Sequence, residues 1–204
     1  MLDQINPIIT VAILIFSVVA HEISHGYVAE MLGDPTARLS GRLSINPIKH
    51  IDPFGSIIVP ILTSFTGFTF GWAKPVPYNP YNLRGGDYGL AAVALAGPLM
   101  NLFIAIFFGA IIKLHLFAGI MAPEVVPVLV YIVLINIVLT FFNLTPIHPF
   151  DGSKVFFPLL PYKYKKVEDW VERNQLILLF VFIFFIWGGA IEPIINAVMN
   201  FILS

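Results

Sequence analysis

Four long apolar segments divide the chain, over about residues 8–32, 88–116, 125–144 and 176–203. Each is long enough to cross the hydrocarbon core of a bilayer, which takes roughly 20 helical residues. Charged residues are rare within them. This pattern predicts an all-α polytopic membrane protein with about four transmembrane helices.

The region between the first two segments has a different pattern. Its apolar part, Phe54 to Trp72, is interrupted by glycines and a proline and is rich in Ile, Val, Thr and Phe. These are strand and turn signals rather than those of a continuous helix. We therefore predict a membrane-associated β-hairpin or re-entrant region over about residues 37–75, and not a fifth span.

The basic residues support this topology. With four spans, ten of the 11 Lys and Arg residues share one side of the membrane, and only Lys113 lies toward the other. By the positive-inside rule, the shared side is cytoplasmic. The sequence thus predicts a multi-pass integral membrane protein, in the cell membrane if the source is prokaryotic, with its polar loops toward the cytoplasm.

Composition narrows the possible classes further. Of 204 residues, 58% are hydrophobic and only 11% are charged, whereas a soluble domain carries about a quarter charged residues. The net charge of -1 and the lack of a basic run argue against nucleic acid as a partner. The absence of cysteine excludes disulfides, thiolate metal sites and cysteine nucleophiles. We predict a single membrane-embedded domain over residues 1–204, surrounded by lipid.

The second half of the first segment contains the motif HEISH, residues 21–25. Residues four apart share one helical face, about 6 Å apart along the axis, so His21 and His25 can bind one zinc ion. Glu22 can take a proton from a water molecule that the metal acidifies. Burying three ionisable groups at this depth in a membrane costs free energy unless they are paired or hydrated, so such groups are candidates for a functional site. The motif therefore predicts a catalytic zinc site.

A third ligand is expected from NLTPIHPFDG, residues 143–152. Two prolines prevent a regular helix there, so this broken end of the third span needs a polar cavity. A carboxylate beside two histidines suits hydrolytic zinc and favours Asp151. His148, between the two prolines, is the alternative ligand.

Three further polar residues are candidates for contact with substrate or with the metal ligands. His50 is either a loop histidine at the membrane interface or a hydrogen-bond donor near the oxyanion of the reaction. Asn101, in AGPLMN of the second span, can form hydrogen bonds across a helix bundle. Asn143 can hold the broken helix end or bind an unwound substrate backbone, and the sequence does not separate these roles.

Five motifs, taken together, resemble the site-2 protease family of intramembrane zinc metalloproteases. The resemblance spans about Ala20 to Lys154 and is carried by HEISHG, INPIKHIDPFGSIIVP, FGWAKPVPYNP, AGPLMN and NLTPIHPFDG. The family usually has Leu before the aspartate of the last motif, where this chain has Phe150. The pairing of the first motif with the last is the specific signal, because HExxH alone occurs in many unrelated proteases.

The resemblance implies that His21, His25 and Asp151 bind one zinc ion and that Glu22 is the catalytic general base and acid. It also implies proteolysis of transmembrane segments of other membrane proteins, by a minimal form without a PDZ or CBS domain. Two alternatives remain: an inactive homologue that binds membrane segments, and a divalent-metal transporter. The intact Glu22 argues against the first. Neither the physiological substrate nor the oligomeric state is indicated.

Overall fold

The computed structural model describes residues 5–58, 73–119, 121–122, 124–182 and 192–203. Within these ranges all regular elements are helical, and no strand is found. The α-helices, in chain order, are α1 (Pro7–Met31), α2 (Thr36–Leu39), α3 (Asp87–Ala118), α4 (Val125–Leu144), α5 (Asp151–Phe156), α6 (Lys165–Arg173), α7 (Gln175–Val181) and α8 (Glu192–Leu203). Short 3₁₀ or π turns occupy Pro47–His50, Pro53–Ile58, Pro80–Asn82, Phe157–Leu159 and Tyr162–Tyr164.

Three of these helices, α1, α3 and α4, are long and apolar enough to cross a membrane. They match the first three predicted spans closely. The fourth predicted span covers α7 and α8, but residues 183–191 between these helices lie outside the described residues. The fold is therefore that of a multi-pass helical membrane protein, and the count of four spans stays a prediction.

Two residues at the start of helix α1 favour the beginning of a helix there. Asn6 caps it by accepting a hydrogen bond from the Ile8 amide (2.9 Å), and Pro7 occupies the first helical position. Large apolar side chains on the outside of the helix, such as Val11 and Phe16, are exposed, as a lipid-facing surface requires.

The core of the bundle lies where α3 packs against α1 on one side and against α4 on the other. The α3–α4 contact is apolar near the end of α3, with Ala105 and Ile112 buried against Val133 and Ile137. Closer to the middle of α3, Asn101 forms hydrogen bonds with the Ser17 carbonyl and with Asn136, and the candidate site is located beside it.

The region predicted to form a β-hairpin is different in its described part. Helix α2 and the turns Pro47–His50 and Pro53–Ile58 are helical, and the described residues between 37 and 75 contain no strand pairing. The side chain of Asn46 accepts from the Ile48 amide (3.1 Å), which caps a helical turn at a proline and favours it over a strand. The hairpin is thus not confirmed, and residues 59–72 lie outside the described residues.

A buried carboxylate fixes the extended segment 73–79 to the end of α1. Asp34 is fully buried and accepts hydrogen bonds from the Asn79 amide (2.6 Å), from Asn82 Nδ2 (2.8 Å) and from Thr36. Burial alone raises the pKa of the Asp34 carboxyl, but these hydrogen bonds outweigh it and hold the pKa below its usual value. The loop that precedes α3 is therefore attached to the helix that carries HEISH.

Candidate metal centre

The structure brings His21 and His25 together with Asp151, the first residue of α5. Asp151 Oδ2 lies 3.0 Å from His21 Nε2 and 3.2 Å from His25 Nε2, and the two Nε2 atoms are 3.1 Å apart. Both histidines are buried, and Asp151 is nearly so. Two parts of the chain 130 residues apart in sequence thus supply one compact group of metal-ligand atoms.

Hydrogen bonds on the far side of each ring determine which imidazole nitrogen carries the proton. His25 Nδ1 lies 2.7 Å from the carbonyl oxygen of Val93, which can only accept. His21 Nδ1 lies 2.6 Å from Asn101 Oδ1, also an acceptor. Each neutral ring therefore holds its proton on Nδ1 and directs the lone pair of Nε2 toward Asp151.

This arrangement fits a divalent cation. Three lone-pair atoms, two imidazole nitrogens and one carboxylate oxygen, face one another with no proton donor between them. A cation satisfies all three, and two histidines with one carboxylate form a ligand set typical of hydrolytic zinc sites. His21, His25 and Asp151 are the residues that would hold it.

Gly97 on α3 makes room for the two rings. A Cβ atom at this position would lie 2.5 Å from Nε2 of both His21 and His25, closer than real contacts allow. The absence of a side chain here is what lets α3 approach α1 at the metal-ligand atoms. The glycine of AGPLMN thus has a steric role at the site as well as in helix packing.

Glu22 lies beside the histidines but is held by a different element. It is half-buried, and its Oε2 accepts a hydrogen bond from the backbone amide of Val76 (2.8 Å). Since Pro75 and Pro77 have no amide hydrogen, Val76 supplies the one backbone donor of residues 75–77. This contact fixes one oxygen of the Glu22 carboxylate, Oε2.

The position of Asp151 depends on a close contact between α5 and the end of α4. A Cβ atom on Gly152 would lie 2.3 Å from the carbonyl oxygen of Leu144 and 2.4 Å from that of Thr145. Only glycine permits this approach. In the DG pair of the last motif, Asp151 therefore supplies the carboxylate and Gly152 permits the close turn that positions it.

The other sequence-predicted residues lie as follows. His50 Nε2 donates to the carbonyl oxygen of Ser44 (2.8 Å), His148 Nδ1 lies 3.1 Å from Ser153 Oγ, and Asn143 Nδ2 donates to the carbonyl oxygen of Leu139 (2.9 Å). Among the described residues, none of these three joins the group of metal-ligand atoms. Asn101 does contact a member of that group, His21.

Sequence reasoning did not identify Val93, Val76 or Asn136. The first two act through backbone atoms, so their residue type carries no signal. Asn136 did carry a sequence signal, because it is a polar residue inside an apolar span, where polar side chains are costly and often functional. It is fully buried and forms a hydrogen bond with Asn101.

Comparison with known proteins adds independent information. Residues 111–187 match the sequence model of Peptidase family M50. The chain is 34% identical over 198 residues to the "Putative zinc metalloprotease YwhC" of Bacillus subtilis (strain 168), and the similarity covers 94% of this chain and 87% of the relative. No solved structure matches the chain.

Proposed function

Because the chain belongs to peptidase family M50, we propose that it is an intramembrane zinc metalloprotease that hydrolyses peptide bonds in or near the transmembrane segments of membrane-protein substrates. The observation that carries the proposal is the convergence of three lone-pair atoms, from His21, His25 and Asp151, beside the carboxylate of Glu22. This group lies within a bundle that contains three candidate spans.

One zinc ion bound by His21, His25 and Asp151 would polarise a peptide carbonyl and lower the pKa of a water molecule. Glu22 supplies the proton transfers. Its carboxylate accepts a proton from water, whose oxygen bonds to the peptide carbonyl carbon. The C–N bond then breaks, and Glu22 returns the proton to the leaving amine nitrogen.

The position of the site among apolar helices supports this substrate class. A transmembrane helix shields its carbonyl groups by internal hydrogen bonds, so a substrate has to unwind locally before a peptide bond reaches Glu22. The exposed apolar side chains along α1 and α3, including Phe16 and Phe103, suit contact with lipid and with such a helix. From the distribution of basic residues, we place the site toward the cytoplasmic side of a cell membrane.

The proposal is tested with Glu22→Gln and Asp151→Ala in purified protein, measuring bound zinc and cleavage of a membrane-protein substrate. For Glu22→Gln we expect native zinc content and cleavage reduced about 10²- to 10⁴-fold, the usual contribution of a general base. For Asp151→Ala we expect loss of both zinc and cleavage.

Glu30→Gln is the matched control, because Glu30 lies on the same helix but pairs with Arg38 at the surface. It should retain both zinc and cleavage. Zinc transport into proteoliposomes that is the same for native protein and Glu22→Gln would instead support a transporter. Native cleavage by Glu22→Gln would overturn the proposal.

A further inference from the structure

A chain of buried hydrogen bonds crosses three helices and ends at His21. Asn136 on α4 and Asn101 on α3 are fully buried, and Ser17 on α1 is nearly so. Asn136 Nδ2 donates to Ser17 Oγ (2.9 Å) and to the carbonyl oxygen of Ile132 (2.8 Å). Asn101 Nδ2 donates to Asn136 Oδ1 (2.8 Å), and Asn101 Oδ1 faces His21 Nδ1.

Backbone carbonyl groups fix the direction of this chain. The Ile132 carbonyl only accepts, so it requires the NH₂ group of Asn136 on its side and turns Oδ1 toward Asn101. The Ser17 carbonyl, 3.3 Å from Asn101 Nδ2, in the same way requires the NH₂ group of Asn101. With both amides oriented in this way, the atom of Asn101 that faces His21 Nδ1 is the acceptor Oδ1.

We infer that Asn101 and Asn136 are positioning residues that hold His21 as the Nδ1–H tautomer, with the Nε2 lone pair directed at the metal. The inference rests on the proposed zinc site and assigns these residues a role in metal binding. His25 obtains the same constraint directly from a backbone carbonyl, that of Val93. His21 obtains this constraint through the side-chain amides of Asn101 and Asn136. The series of hydrogen bonds is strong because it is buried and each amide in it has hydrogen-bond partners.

The experiment measures zinc affinity by competition with a chelator in the purified protein. Asn101→Leu keeps a similar volume but removes the acceptor, and we expect zinc binding 10- to 100-fold weaker. Asn101→Asp retains an acceptor for His21 but loses the donor to Asn136 Oδ1 and to the Ser17 carbonyl, so its zinc affinity should lie between those of the native protein and Asn101→Leu. Asn136→Leu should weaken zinc binding less than Asn101→Leu does, because Asn101 then loses one of its two acceptors but keeps the Ser17 carbonyl.

Thr140→Val is the matched control for helix packing. Thr140 is buried on α4, and its hydroxyl group lies 2.8 Å from the carbonyl oxygen of Asn136 and 3.3 Å from that of Pro98 on α3. The substitution removes a polar group at the contact of the same two helices and leaves the side-chain amides that lead to His21 in place. If Thr140→Val weakened zinc binding as much as Asn101→Leu does, the role would be packing alone and the inference would be wrong.

Two further measurements keep the inference distinct from the proposed function. In zinc-loaded native protein, ¹H–¹⁵N spectra of the histidine rings should show the His21 proton on Nδ1, and a proton on Nε2 would overturn the inference without any variant. Zinc retained by Asp151→Ala would refute the metal site itself. Zinc lost in Asp151→Ala but unchanged in Asn101→Leu would refute the inference alone.

Discussion

His21, Glu22 and His25 are neighbours in sequence, but the two histidines and the carboxylate are held by different parts of the molecule. His21 and His25 are buried between helices, and their rings are fixed by α3 through Asn101 and the Val93 carbonyl. Glu22 is half-buried and is fixed by the loop that precedes α3, through the Val76 amide. Under the proposed function, metal binding would therefore depend on contacts within the bundle, whereas proton transfer would depend also on the loop.

This difference should allow the two properties, metal binding and cleavage, to be changed separately. Changes at the α1–α3 contact should weaken metal binding, and with it cleavage. Changes in the loop should reduce cleavage and leave the metal in place. Three substitutions test this separation.

The largest effect is expected from Gly97→Ala. The added methyl group would lie 2.5 Å from Nε2 of His21 and His25, so the rings or the helices have to move apart. We expect zinc affinity to fall by about 100-fold, at the upper end of what disturbed ligand positioning causes. Chelator competition measures it, with Leu99→Ala on the outer face of the same helix, where the side chain is 56% exposed, as the control. Native affinity in Gly97→Ala would contradict the α1–α3 role.

A smaller and different effect is expected from Val76→Pro. The substitution removes the amide that orients Glu22, so cleavage should fall about tenfold, less than the 10²–10⁴ that a general base contributes, while bound zinc stays native. Val76→Ala keeps the amide and trims the side chain, and it serves as the control in both assays. Equal losses of cleavage in the two variants would mean that side-chain packing, not the amide, positions Glu22.

The smallest effect is expected from Asp34→Asn, which acts on the loop attachment. It leaves at least one donor from Asn79, Asn82 or Thr36 poorly paired, and we expect the free energy of unfolding to fall by about 1–3 kcal/mol. Because the pKa of Asp34 is lowered in the folded protein, its contribution is present above the usual value of 3.8 and is lost as the pH falls below it. Thermal unfolding against pH measures this, and Asp34→Asn should lack that part of the acid sensitivity.

Much of the site could be predicted because its signals are local. The four-residue spacing of His21 and His25 places both rings on one helical face whatever surrounds them. The prolines before Asp151 break a helix in any context, and residue patterns located α1, α3 and α4 closely. The match to peptidase family M50 agrees with the resemblance drawn from these motifs.

The rest depends on contacts that no local pattern encodes. The carbonyl of Val93 and the amide of Val76 are backbone groups, and every residue type except proline offers both. The strand prediction for residues 37–75 rested on β-branched residues, but Asn46 and Pro47 favour a helical turn there, and tertiary context decides between such signals. The candidate metal-ligand group was therefore predictable, whereas the groups that orient it were not.

The distance in sequence between His21 and Asp151 has a consequence during synthesis. The ribosome completes the first span, with its two imidazoles and Glu22, long before it translates the carboxylate that completes the centre. Under the proposed function, no zinc-dependent cleavage would be possible until α3 and α4 have been inserted and docked. A nascent chain would then leave its neighbours in the translocation machinery uncut, and hydrolytic activity would arise only late in assembly.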